Sequence, residues 1–217
     1  MTTPDHAALV LAQSSLVARA SGLRPGDLLI ALNGRAITGD PRTVLAGIKR
    51  GQTGQSQLRL RRAAEDWDLV ADPRQLGRWR AGRTDMPPGP LPARKALRNW
   101  DVMVTPDGVY DVQMQAPRVL ALLVPVYLVQ MRLWGPLAIW GATLLIGLAP
   151  GLIWAGIIQA VFALYIWRAG PMLVRADRQA QGLRMWRVMA APDEAALHRQ
   201  IAQSLPDWRF LHMPDRT

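Results

Sequence analysis

Three histidines, His6, His198 and His212, are the side chains of this sequence best suited to proton transfer near neutral pH, and none belongs to a His-Glu-x-x-His pair. That pattern would set two imidazole ligands and a general base on one helical face. A Gly-x-Ser-x-Gly elbow, which would present a nucleophilic hydroxyl, is absent too. His198 precedes Arg199 on a predicted surface helix, where a solvated role outweighs that of a base. There is no cysteine, so neither disulfide nor thiol chemistry is available. Residues 119–167 contain no Asp, Glu, His or Lys, the groups that an intramembrane proton relay or aspartyl protease requires. Their single charge is Arg132, read as a residue snorkelling to lipid headgroups. The sequence therefore points to a non-enzyme with no cofactor and no metal.

The elements around these residues follow from an uneven composition. Half of the 217 residues are hydrophobic, yet nearly all charge lies outside 119–167. Of the net +10, the stretch 73–98 carries +6 and 168–217 carries +3, so the basic excess flanks the apolar segment. A nucleic-acid binder would spread basic residues over one folded face with aromatics between them. Placement beside an apolar segment instead suits anionic lipids, at roughly 1 kcal/mol per basic residue near the surface. Lys supplies two of the 26 basic residues, as in proteins of GC-rich bacterial genomes. Met1–His6 shows no basic stretch followed by an apolar run, so the N-terminal domain is expected to stay in the cytoplasm.

Leu9–Ala12 reads as a strand, Ser14–Ala20 leads to the turn Pro25-Gly26-Asp27, and Leu28–Leu32 is an apolar strand ending at Asn33-Gly34. Pro41 after Asp40 opens a short helix through Ile48. Leu58–Arg62 alternates like a surface strand, and Trp67–Val70 closes the sheet. The run Gly22-Leu23-Arg24-Pro25-Gly26-Asp27, followed by a strand ending in Asn33-Gly34, resembles the PDZ domains of bacterial HtrA-type proteases over about 65 residues. The protease motifs themselves are missing, and the likeness to membrane-bound PDZ metalloproteases also stops at this turn. The resemblance implies a peptide groove for β-augmentation between Leu9, Val10 and Leu11 and the helical residues Val44, Leu45 and Ile48. A glycine loop normally precedes the groove strand and holds a C-terminal carboxylate; Met1–Ala8 has no glycine. The domain is therefore read either as a docking platform or as a true peptide binder.

Residues 73–98 read as a basic, Pro/Gly-rich linker, and 99–116 as a β-hairpin around Pro106-Asp107-Gly108. Residues 133–167 carry no charge and as one helix would reach about 52 Å, well past a bilayer core of about 30 Å. Gly147–Gly151 breaks them into two expected spans, Val126–Leu148 and Leu152–Trp167, a transmembrane hairpin over 117–168. Arg118, Arg132, Arg168 and Arg175 are the expected headgroup contacts, and the basic flanks put both termini in the cytoplasm of a bacterial inner membrane. Gly151, Ala155 and Gln159 recur every fourth residue and are widened by Gly156 and Ala160. This stripe would pack on the first span or on another subunit, a homo-oligomer included. Residues 169–217 form a basic cytoplasmic segment with a strand near Arg184–Met189 and a helix from Pro192-Asp193-Glu194.

The order of hairpin, apolar segment, Arg132-Leu133-Trp134, second span, basic tail, strand and acidic-start helix resembles a small bacterial inner-membrane family of unknown function over about 99–200. That likeness implies no functional residues. The expected fold class is α+β: a small PDZ-like β-rich domain at 1–72, then a two-helix transmembrane hairpin with short β-hairpin and strand-helix elements. The expected role is a membrane-anchored scaffold or adaptor that docks membrane protein partners at the cytoplasmic face, in assembly or quality control. The alternative is a constitutive accessory subunit of a large membrane complex.

Overall fold

The structure, a computed structural model, describes residues 6–51, 54–87, 89, 97–115 and 122–212. The chain is mixed α+β and divides into two compact units, residues 1–114 with 185–217, and the inserted residues 115–184.

In the first unit β1 (His6–Ser14), α1 (Leu16–Ala20), β2 (Leu28–Leu32), β3 (Arg35–Ala36), α2 (Pro41–Lys49), β4 (Ser56–Arg62), β5 (Glu65–Ala71) and β6 (Gly77–Thr84) build one sheet. Its order is β5-β4-β2-β1-β6, with β3 paired to β2. Local chemistry sets these elements. Asn33 and Gly34 have φ of 52° and 74°, the left-handed pair that a tight reversal needs. Asp40 accepts the Arg42 N–H at 3.0 Å and caps α2, whose first residue is Pro41. The Asp27 carboxylate accepts the Arg24 N–H across the Pro25-Gly26 turn and also binds Arg62 at 2.7 Å.

Two expectations about this sheet need correction. The stretch 73–98 is not all spacer, because its first half forms β6. Nor is the basic face of β4 a surface. In the β4–β5 register Leu58 and Leu60 oppose Leu69 and Trp67, while Arg59 and Arg61 oppose Asp68 and Asp66. Arg61 is almost fully buried and donates to Asp66, to Thr84 and to the carbonyls of Met86 and Pro87. The segment following β6 covers that face because the guanidinium holds its carbonyls.

A second sheet completes this unit. β7 (Arg98–Val104) and β8 (Val109–Met114) form the expected hairpin; β9 (Arg184–Ala191), α6 (Glu194–Ser204) and β10 (Arg209–Phe210) follow much later in the chain. The order is β10-β8-β7-β9, so the C-terminal segment is built into the sheet begun by the hairpin. Side chains from both sheets share one core, including Leu60, Trp67, Trp100, Val188 and Leu197. The Asn99 amide brackets one residue of β5, accepting the Val70 N–H at 3.0 Å and donating to its carbonyl at 2.8 Å. The Val188 N–H donates to the Ser21 carbonyl, and the adjacent Gly22 sits at φ +77° where a Cβ would overlap Trp186 and Arg187 backbone.

The inserted unit holds α3 (Val124–Gln130), α4 (Trp134–Leu148) and α5 (Leu152–Ala180). Among the described residues one helix, α5, is long and apolar enough to cross a membrane, with mean hydropathy 1.6 over its most apolar stretch. At 15 residues α4 reaches about 22 Å, short of the core thickness. The expected pair of full spans is therefore corrected on two points. The first is interrupted at Met131–Leu133, where Arg132 takes φ +55° and separates α3 from α4. The second does not end at Trp167 but continues to Ala180 through Pro171. Gly147 lets the helices approach, since a Cβ there would overlap the Ile158 side chain.

Gly22 and Gly26 both have positive φ, but only Gly22 lies against a neighbour; a Cβ at Gly26 meets nothing. Gly26→Ala is expected to cost about 1–2 kcal/mol from backbone strain alone. Gly22→Ala adds a clash and should cost roughly 1–3 kcal/mol more. Denaturant unfolding of the full chain in detergent, followed by tryptophan fluorescence, measures the difference; equal costs would mean that β9 does not pack on the α1 turn.

Candidate functional site

The residues with acid–base potential do not converge. Among the described residues no group of three or more His, Asp or Glu is placed to hold a metal ion. His6 begins β1, while His198 and His212 flank β10. His198 is half-buried rather than fully solvated. Its Nδ1 lies 2.8 Å from the Tyr110 hydroxyl and its Nε2 3.4 Å from Glu194, with Phe210 against the ring. This Tyr–His–Glu series resembles a proton relay in outline, but burial pushes the Tyr110 phenol up from its ordinary value. The Tyr110–His198 hydrogen bond and the packing of Phe210 against the imidazole join α6 and β10 to β8.

The residues expected to line a peptide groove do not form one. β1 is an interior strand, paired to β2 on one side and along most of its length to β6 on the other. Leu9, Leu11 and Ile48 are buried in the core, with Val44 and Leu45 packed against it. Val10 is half-buried beneath Gly82 of β6. None of these six can receive a strand, because β6 already occupies the edge of β1. The margin next to α2 is instead that of β6, the last strand of the sheet, with no described strand on its outer side. Trp79 anchors β6 inward and donates from Nε1 to the Pro73 carbonyl at 2.8 Å, while Arg78 and Arg80 beside it are exposed.

The lead-in to β6 is a structured loop. Arg74 binds Asp72 at 2.7 Å, and that guanidinium holds the Asp72 carboxyl below its usual range. Ser15 takes up the Leu76 and Gln75 carbonyls, from its N–H and its hydroxyl respectively. Gly77 has φ +132°, and a Cβ there would overlap the Gln13 carbonyl oxygen. A glycine therefore opens the outer strand, in the segment read as linker. The signal for β6 was present as Gly77-Arg78-Trp79-Arg80, one apolar residue between two cations after a glycine. Its length was too short to outweigh the neighbouring prolines.

In the inserted unit the small-residue stripe splits. Ala155 is buried and Gln159 accepts from the Trp140 Nε1–H at 3.0 Å, which places this face on α4 of the same chain. Gly151 precedes α5 at its N-cap, whereas Gly156 and Ala160 are exposed. Arg132 and Arg168 are exposed and Arg175 half-buried; Arg118 lies outside the described residues. An apolar groove of about 400 Å³ opens among Leu128, Ile139, Phe162 and Leu173, with the Tyr165 phenol the one titratable group in its lining.

A double-mutant cycle of Trp140→Phe and Gln159→Leu is expected to give a coupling of about 0.6 kcal/mol in lipid, typical of interhelical hydrogen bonds. Reversible unfolding in bilayers reads it, and a coupling near zero would mean that the two side chains do not meet. No protein-family model, curated protein or solved structure matches this chain.

Proposed function

We propose that this protein is a membrane-anchored adaptor that docks an extended segment of a partner protein along the outer margin of β6, beside α2. One observation carries the reading: β6 ends its sheet with no described strand beyond it, next to a helix whose inner residues Val44, Leu45 and Ile48 belong to the core. Backbone donors and acceptors on such an edge are satisfied by water or by an added strand, and strand addition needs no catalytic group.

Anchoring is supported by α5 and by chain connectivity. β8 and β9 belong to one sheet, so the chain leaving Met114 must return to the same folded unit at Arg184. A membrane-crossing segment between them crosses an even number of times. At 29 residues α5 extends about 43 Å, enough for one crossing, and the other falls to α4 with its neighbours α3 and the break at Arg132. The basic flanks favour the cytoplasm for the folded unit, by the excess of Arg and Lys that marks that side.

Two measurements test this. The sequence has no cysteine, so single replacements can be read without background. In intact cells a membrane-impermeant maleimide should label Ala149→Cys but label Gly54→Cys and Ser204→Cys only after permeabilisation. Labelling of all three from one side would rule out two crossings. For docking, Arg80→Pro and Ala81→Pro form an informative pair, because of two adjacent residues on an edge strand one sends its N–H inward and the other outward. The outward one should leave thermal unfolding within a few degrees of wild type and lose the partners that co-purify in mild detergent. A complex retained at constant stoichiometry by both variants would make the protein an accessory subunit held through its helices.

A further inference from the structure

The open margin is predominantly basic. β6 carries Arg78, Arg80 and Arg83 and no carboxylate, and the exposed Arg74 side chain lies just before it. Across from the strand, α2 presents exposed Arg42 and Lys49, with exposed Arg50 following it and no acid within the helix. The nearby acids are Asp72, already bound to Arg74, Asp40, committed to the helix cap, and Asp85 after the strand. This distribution has two physical effects. A second copy of β6 laid along the first would bring arginines opposite arginines, which disfavours edge-to-edge self-association. A strand carrying carboxylates at alternate positions would instead meet Arg78 and Arg80, the two cations on the face of β6 opposite Trp79.

We infer that the β6 margin takes an extended segment of a partner protein rich in Asp and Glu, added as a further strand and selected by Arg78 and Arg80. This rests on the docking reading above and adds the chemical class of the ligand. Backbone pairing supplies the geometry, and the arginines discriminate among sequences able to adopt it. Because the ion pairs lie at the solvent surface, the preference weakens as salt is added.

The test uses full-length protein in detergent and three fluorescein-labelled peptides of equal length: alternating Glu and Val, alternating Gln and Val, and alternating Lys and Val. Fluorescence anisotropy should show the Glu peptide binding about tenfold more tightly than the Gln peptide, as two or three exposed ion pairs allow. The Lys peptide should bind most weakly. The variant Arg78→Glu/Arg80→Glu should reverse the order. The control Arg19→Glu/Arg199→Glu makes the same charge change at exposed residues elsewhere and should preserve it. Equal loss in both variants would reduce the effect to overall basicity and overturn the inference. If all three peptides bind alike and lose binding with the outward proline variant, edge docking stands and acid selectivity fails. Failure of every peptide would remove both. A dimer that depends on β6 and is not displaced by the Glu peptide would assign the edge to a second copy and overturn the inference.

Discussion

The constraint on which the rest of this molecule depends is the closure of a sheet across an insertion. β9 stands in the same sheet as β7 and β8, although residues 115–183 intervene. Strand pairing so distant in sequence carries a loop-closure cost that grows slowly with loop length, and it persists only where the strands bury enough to offset it. Here they do: Val188, Met189 and Ala191 of β9 enter the core that holds Trp67 and Trp100. Helices built between β8 and β9 must deliver the chain back to where it left.

The joint between the two sheets is polar as well as apolar. Arg187 of β9 lies over the rings of Trp186 and Trp67, 3.5 and 4.6 Å from their centroids, and binds Glu65 of β5 at 2.6 Å. Burial pulls its guanidinium below the ordinary arginine value, and the Glu65 contact opposes this. Removing Glu65 would leave the buried Arg187 guanidinium without its carboxylate partner, so the contact fixes where β9 sits even if its net contribution is small. Asn99 does similar work without charge, because its amide gives Val70 on β5 both a donor and an acceptor. On the opposite face of β4 and β5, Asp68 is pushed up by burial, with Arg59 at 2.6 Å and Gln57 opposing the shift. These buried polar contacts specify register where hydrophobic packing alone would allow alternatives.

The sheet also illustrates how an edge is managed. β5 is flanked by Asn99 and by the charge ladder with β4, while β6 is left to arginines. Cations on an edge strand guard against pairing with a like copy.

Local chemistry made much of the molecule legible in advance. Asn33-Gly34, the Pro25-Gly26-Asp27 turn, the Asp40–Pro41 helix start, the hairpin at Pro106–Gly108 and the Asp193 cap each act within a few residues, so the sequence alone determined those elements. The alternation of Leu58–Arg62 likewise fixed which side chains share a face. It did not fix what covers that face, because Met86 and Pro87 reach Arg61 only through the path of the chain. The expectation of a groove beside Leu9–Leu11 failed for the same reason. Leu9–Leu11 has the pattern of a strand with a buried face, and nothing local states that Gly77–Thr84 will take its free edge. The sequence by itself determined turns, caps, periodicity and the apolar segment, all set by short-range sterics and solvation. Tertiary structure alone decided which strand is outermost, where the C-terminal strand closes its sheet and which cations face solvent, because strand order is chosen by non-local pairing among segments of similar propensity.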